Sequence, residues 1–357
     1  MSGFLGMFAY GGAAAPVVPS IYIAYGGPTV GKRICAYNWD STTGFGSSFT
    51  APTISNAINQ VSFVKNNSNI SASCTASPFF FVWQWSASGF GTQYANAGSP
   101  LSPSGSGPAG FSWTNNVDAI LTSNAASVSY PQAWAWDQTS GFGTKYANGP
   151  ALNSSALATG VTLNGDNTQV AFSQQSSPVI SLFPWSSSAG FGTKYANPAS
   201  LPPFGNNPET ISFNPVTNDV AIGSTAFPLI AAYPVTSSGF GTRYANPSTS
   251  VGGTAFGVRF SPSGSEIAVG NNSTPASLKV YQWSSGFGSL YSSPTILQTI
   301  RSVSWSSTGT EIAGAIASAS PYTKVYPWTS SGFGSAYSNP TTALDSSVSV
   351  SFSDQSR

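Results

Sequence analysis

Ten carboxylates and not one histidine set the limits on the chemistry open to this 357-residue chain. The acids are Asp40, Asp118, Asp137, Asp166, Glu209, Asp219, Glu266, Glu311, Asp345 and Asp354. Asp118, Asp219, Glu266 and Glu311 recur at one position of a repeated pattern, just before a strand of small residues, where a turn acid is the plain reading. Asp40 and Asp137 each follow a Trp, which leaves four acids scattered along the chain. A glycosidase needs two carboxyls flanking one bond, and no repeat shows a lone extra acid beside an extra base. Without His there is no imidazole base, no His metal ligand and no Ser-His triad. Cys35 and Cys74 are too few for a structural zinc site and read as two small buried residues, although the sequence leaves a disulfide open. Asn164-Gly165-Asp166-Asn167 is a weak calcium candidate that reads first as a turn. The expectation from this inventory is a non-enzymatic protein with no catalytic residue, no cofactor and no metal.

The elements that would position any site come from a phrase that returns seven times: Gly-Phe-Gly, then Ser or Thr, one variable residue and an aromatic. The copies begin at Gly44, Gly89, Gly141, Gly190, Gly239, Gly286 and Gly332, spaced 45 to 52 residues apart. That period suits one four-stranded unit per repeat. In the sixth unit Val258-Arg259-Phe260 reads as a strand, Ser261-Pro262-Ser263-Gly264 as a turn, and Glu266 to Val269 as a second strand. Leu278 to Trp283 is a third, and the Gly-Phe-Gly turn leads into a short fourth. Before the first such turn only two strands are available, Ile21 to Tyr25 and Arg33 to Trp39. After the last, Val348 to Ser353 is left over and matches the innermost strand of the sixth unit. The spacing therefore predicts an all-β ring of seven four-stranded antiparallel blades over residues 20–357, closed by the C-terminal strand pairing into the N-terminal blade. Closure removes the open edges of a linear array.

Each repeated residue has a physical reading. Glycines around the turn aromatics Phe45, Phe90, Phe142, Phe191, Phe240, Phe287 and Phe333 permit positive φ while the ring is pushed back onto the sheet. The next aromatic (Phe49, then Tyr94, Tyr146, Tyr195, Tyr244, Tyr291 and Tyr337) reads as cover for the flank of the following blade, with a sugar-stacking platform as the alternative. Gln93, Lys145, Lys194 and Arg243 at the variable position read as outward gatekeepers on an edge strand, with a weak anionic docking face as the alternative.

The order of strand, polar turn, small-residue strand and Trp-ended strand resembles the WD-repeat β-propeller. Trp39-Asp40 and Trp136-Asp137 carry that family's Trp-Asp pair, while Trp85, Trp185, Trp283 and Trp328 precede Ser or Thr, and Val235 takes the Trp position in the fifth unit. The family's His network is absent, so the chain is WD-like. Propellers host many functions, so this resemblance speaks to architecture.

Charged residues make up 6% of the chain and the net charge is +1, which argues against nucleic acid as a partner. No stretch approaches the ~20 apolar residues of a membrane span, and the N-terminus lacks a basic signal segment, so the expectation is synthesis in a host cytoplasm without membrane insertion. Residues 1–19 stand outside the blades as an uncharged arm; they read either as a plug against the ring or as a docking segment through Phe4, Leu5, Met7, Phe8 and Tyr10.

The stretch from Trp185 to Pro198 is similar to repeats in propeller proteins of tailed-phage virions. That resemblance implies a surface-displayed virion structural protein, decorating the capsid or attached to the tail, with other virion proteins as partners. The alternative reading is an adsorption lectin for host glycan, using Asn96, Asn148, Asn197 and Asn246 beside the repeat tyrosines. Deleting the chain from Ser347 onward is expected to lower the thermal unfolding midpoint of the whole ring; an unchanged midpoint would refute closure by that strand.

Overall fold

The structure is a computed structural model that describes residues 21–28, 33–97, 108–124, 130–152, 157–203, 205, 207–317, 320–342 and 346–353. The arm residues Phe4, Leu5, Met7, Phe8 and Tyr10 lie outside them. Among the described residues there are 28 strands and no helix, arranged as seven four-stranded antiparallel sheets. Ser349–Phe352 pairs antiparallel with Ile21–Gly26, so the first blade takes its innermost strand from the C-terminus and the ring closes as expected. Tyr22 N–H donates to Ser353 Oγ at 2.7 Å, and the Phe352 ring meets Trp39 edge-on at 5.4 Å.

The blades are numbered here by their Gly-Phe-Gly turns. In six of them the Trp that ends the third strand is held between two rings. The turn Phe of its own blade lies edge-on at 4.9 to 5.2 Å in the pairs Trp39–Phe45, Trp85–Phe90, Trp136–Phe142, Trp185–Phe191, Trp283–Phe287 and Trp328–Phe333. The second ring comes from the preceding blade: Tyr337, Phe49, Tyr94, Tyr146, Tyr244 and Tyr291 meet the same six Trp at 4.8 to 5.3 Å. Edge-to-face pairs of this kind contribute about 0.5 to 1.5 kcal/mol each beyond their burial. In blade 5, Val235 replaces Trp, and Tyr195 and Phe240 pack on its cluster instead.

This clasp explains the first glycine of the turn. At Gly141 φ is +85°, and a Cβ there would lie 2.9 Å from the Tyr94 ring, so both backbone conformation and the visiting ring exclude a side chain. At the second glycine, Gly143, φ is not positive and a Cβ would lie 3.3 Å from Ala135 Cβ, a tight approach that a small shift relieves.

The acids are largely absorbed by this frame. Asp40 Oδ1 accepts the N–H groups of Thr42 and Thr43 at 2.8 and 2.7 Å, and Asp137 does the same for Thr139 and Ser140, which holds both carboxyls below their usual range. Asp219, Glu266 and Glu311 each open a second strand, opposite Pro234, Gln282 and Pro327. Asp118 departs from the expected shared position: it sits one residue earlier, and Ala119 takes that register opposite Ala135. Buried Asp219 accepts from Trp283 Nε1 at 2.9 Å, Tyr244 OH at 2.8 Å and Thr217 Oγ1 at 2.5 Å, a carboxylate-centred network between blades 5 and 6 in a chain without His. Cys35 and Cys74 are free thiols.

Gly141→Ala is expected to cost about 1 to 3 kcal/mol in urea unfolding, from positive φ together with the Tyr94 contact. Gly143→Ala should cost clearly less; equal losses would sink the clasp account.

Candidate functional site

The innermost strands of the seven blades run side by side around a central channel. Six of them, Ile58–Phe63, Pro108–Trp113, Ala158–Leu163, Pro208–Phe213, Ala255–Phe260 and Ile300–Trp305, share one irregularity. The register to the second strand slips by one residue near the start, as between Pro208 and Thr210. The skipped residue has no cross-strand partner, and a bulge of this kind re-aims a side chain. In blades 5, 6 and 7 the bulge residues are Glu209, Phe256 and Arg301.

These three side chains line one mouth of the channel, a cavity of about 150 Å³. Glu209 and Phe256 are half-buried and Arg301 is exposed. The Arg301 guanidinium lies over the Phe256 ring with Cζ 3.9 Å from its centroid, a stack that suits a planar cation. Burial pushes the Glu209 carboxyl above the ordinary carboxylate value, and the positive charge of Arg301 pulls in the opposite direction. The mouth therefore holds a carboxylate with raised proton affinity and a fixed cation, the pairing that proton transfer with charge compensation requires.

Deeper in the channel a second cavity of about 190 Å³ is lined by a ring of side chains, one from each inner strand. The position before the strand's last aromatic or Leu is Ser351, Ser62, Ser112, Thr162, Ser212, Arg259 and Ser304 in blade order. Several of these hydroxyls join one blade to the next. Ser304 Oγ accepts from Phe352 N–H at 3.1 Å, Ser351 Oγ from Phe63 N–H at 3.2 Å, and Thr162 Oγ1 from Phe213 N–H at 3.4 Å. Ser62 and Ser351 donate in turn to the following carbonyl at 2.9 and 3.1 Å. Arg259 stands where the seventh hydroxyl would be. Its side chain is open to the channel yet walled by protein, and that enclosure lowers the guanidinium pKa from its usual value.

The residues singled out in the sequence do not come together here. Phe45, Phe90, Phe142, Phe191, Phe240, Phe287 and Phe333 pack against their own third strands. Asn96, Asn148, Asn197 and Asn246 are exposed on the outer strands, but the tyrosines beside them are half-buried between blades. Tyr146 OH and Tyr337 OH donate to the carbonyls of Ser187 and Ser41, both at 2.6 Å, which ties each ring to the following blade. Of the cations on the outer strands, Lys145 lies over Trp134 at 5.4 Å and Arg243 bonds Asn246 Oδ1 at 2.8 Å. Glu209 and Arg301 belong to different repeats, so no single repeat pairs an extra acid with an extra base, and it is the ring that brings both to one mouth. Aligning the seven inner strands would have exposed them, since both occupy the same offset from the strand end, as does Phe256.

No protein-family model matches the chain, and no curated protein does. Solved structures do. A protein from Lactobacillus plantarum superposes with a TM-score of 0.72 at 13% identity, over 93% of this chain and 99% of that one. A candidate 6-phosphogluconolactonase from Bacteroides fragilis gives 0.73 at 12%, over 96% and 100%. The periplasmic gluconolactonase of Pseudomonas aeruginosa gives 0.70 at 12%, over 94% and 99%. Likeness at this identity carries the fold, a seven-bladed propeller. These bacterial neighbours, two of them bearing lactonase names and one a periplasmic location, overturn the expectations of a non-enzymatic virion structural protein and of a place on the virion. The tailed-phage resemblance finds no counterpart among them.

Proposed function

We propose that the protein is a hydrolase of a small sugar-acid lactone, acting at the Glu209 mouth of the channel. The observation that carries this reading is the half-buried Glu209 carboxyl, raised by burial, beside an Arg301 stacked on Phe256, on bulges of three consecutive blades. It is supported by the lactonase names borne by propellers of the same architecture. The Glu209 carboxylate takes a proton from water as the water oxygen attacks the lactone carbonyl carbon. Arg301 compensates the negative charge that develops on the carbonyl oxygen. Collapse breaks the ring carbon–oxygen bond, and the proton on Glu209 passes to the departing ring oxygen. The product is an open-chain hydroxy acid, with water as the only co-reactant.

The test is acid release from δ-gluconolactone in the presence of the full chain, measured above the uncatalysed rate. Glu209→Gln is expected to lower kcat/KM by about 10²-fold or more, the usual contribution of a positioned base. The active form is the ionised one, so activity falls as pH drops through the Glu209 pKa, at a pH above the ordinary carboxylate value of about 4.3. Arg301→Ala removes the cation that holds this pKa down and should move the acid limb to higher pH while lowering the rate. No acceleration by the wild-type chain, or full activity in Glu209→Gln, would overturn the reading.

A further inference from the structure

We infer that the deeper cavity is a binding site for a tetrahedral oxyanion of the phosphate class, held by Arg259 within the hydroxyl ring. The site stands on the ring register alone and does not depend on the reaction proposed for the mouth.

Six blades place Ser or Thr at this level and one places Arg, so the ring carries a single positive charge among neutral groups. Among the described residues the Arg259 guanidinium makes no hydrogen bond and no ion pair; only its backbone carbonyl is engaged, by Trp305 Nε1 at 3.2 Å. Asp219, Glu266 and Glu311 are occupied in hydrogen bonds to their own turns or neighbouring blades. Arg259 is open to the channel, and a chain with only 6% charged residues does not place an unpaired cation in its central channel by default. The Ser112 hydroxyl, in the same ring, also makes no hydrogen bond among the described residues.

The chemistry of this donor set favours phosphate. A guanidinium presents a planar fork that grips two oxygens of one anion. Among the described residues Ser62, Thr162, Ser212, Ser304 and Ser351 already donate to the carbonyl that follows each of them, which leaves the Ser112 hydroxyl to donate to a third oxygen of a tetrahedral ion, whereas a planar carboxylate has only two to offer. The mouth and the ring cavity share Gln60, Val61, Val161, Arg259 and Val350, so an ion at Arg259 would be reached along the channel.

The experiment is calorimetric titration of the full chain with inorganic phosphate, in low-salt buffer at pH 7 free of other oxyanions. One saturable site is expected. Arg259→Ser supplies the missing seventh hydroxyl, so it should fold while binding phosphate at least tenfold more weakly. Should that variant fail to fold, Arg259→Lys keeps the charge without the fork and is expected to weaken binding several-fold. Glu209→Gln should bind phosphate at least as well as wild type, which separates this site from the mouth. Methyl phosphate binding as tightly as inorganic phosphate would assign the site to a phosphate monoester, and binding of inorganic phosphate alone would assign it to the free ion. Absence of saturable binding by the wild-type chain, or undiminished binding by a folded Arg259→Ser, would overturn the inference.

Discussion

The covering of each third-strand tryptophan by a ring from the preceding blade is the contact on which the rest of the molecule depends. Tyr94 reaches Trp136, Tyr146 reaches Trp185, and Tyr337 crosses the closure to reach Trp39. No blade can bury its Trp alone, so stability is shared between neighbours, as in other repeat architectures. At the positive-φ glycine of each turn the visiting aromatic stands 2.6 to 3.4 Å from where a Cβ would be. Closure follows from the same logic. Without Ser349–Phe352, blade 1 would lack both its inner strand and the Phe352 ring against Trp39.

A ring stabilised at its periphery leaves its center free to be polar. The outer clasps carry the aromatic burial, while the inner strands alternate apolar residues that face between blades with hydroxyls at the channel. These hydroxyls satisfy backbone N–H groups of the next blade, such as Phe63 and Phe352, that antiparallel pairing within one sheet does not reach. The inner glycines serve the same closeness: a Cβ at Gly257 would lie 2.9 Å from the Ser302 Cα of the neighbouring strand. With the frame secured elsewhere, a single strand can exchange its hydroxyl for Arg259, and the bulges can present Glu209 and Arg301, without disturbing the repeat.

Asp219 shows how a carboxylate can replace a histidine network. It accepts from an indole, a phenol and a hydroxyl drawn from two blades, and so ties the second strand of one to the third strand of the next. Its counterparts Glu266 and Glu311 bond within or beside their own turns. The same position in the repeat thus serves a joint in one place and a turn in others.

The sequence by itself determined the period, the number of blades, the four-strand grammar and the closure, because each rests on residues that recur at fixed spacing: the Gly-Phe-Gly turn, the third-strand Trp, and a C-terminal segment matching the sixth unit's inner strand. It also placed the repeat tyrosines between blades, since seven large rings at one offset demand a common apolar surface. What only the tertiary structure decided is the site. Glu209, Phe256 and Arg301 share one offset in their inner strands, but nothing in that offset says that the three side chains face one mouth. Their meeting depends on a bulge that turns each side chain toward the mouth and on ring geometry that sets inner strands of successive blades side by side. Arg259 is legible as unusual in the sequence, but that it makes no ion pair with a described carboxylate is a property of the closed ring, in which Asp219, Glu266 and Glu311 are held at turns and seams and Glu209 stands at the mouth.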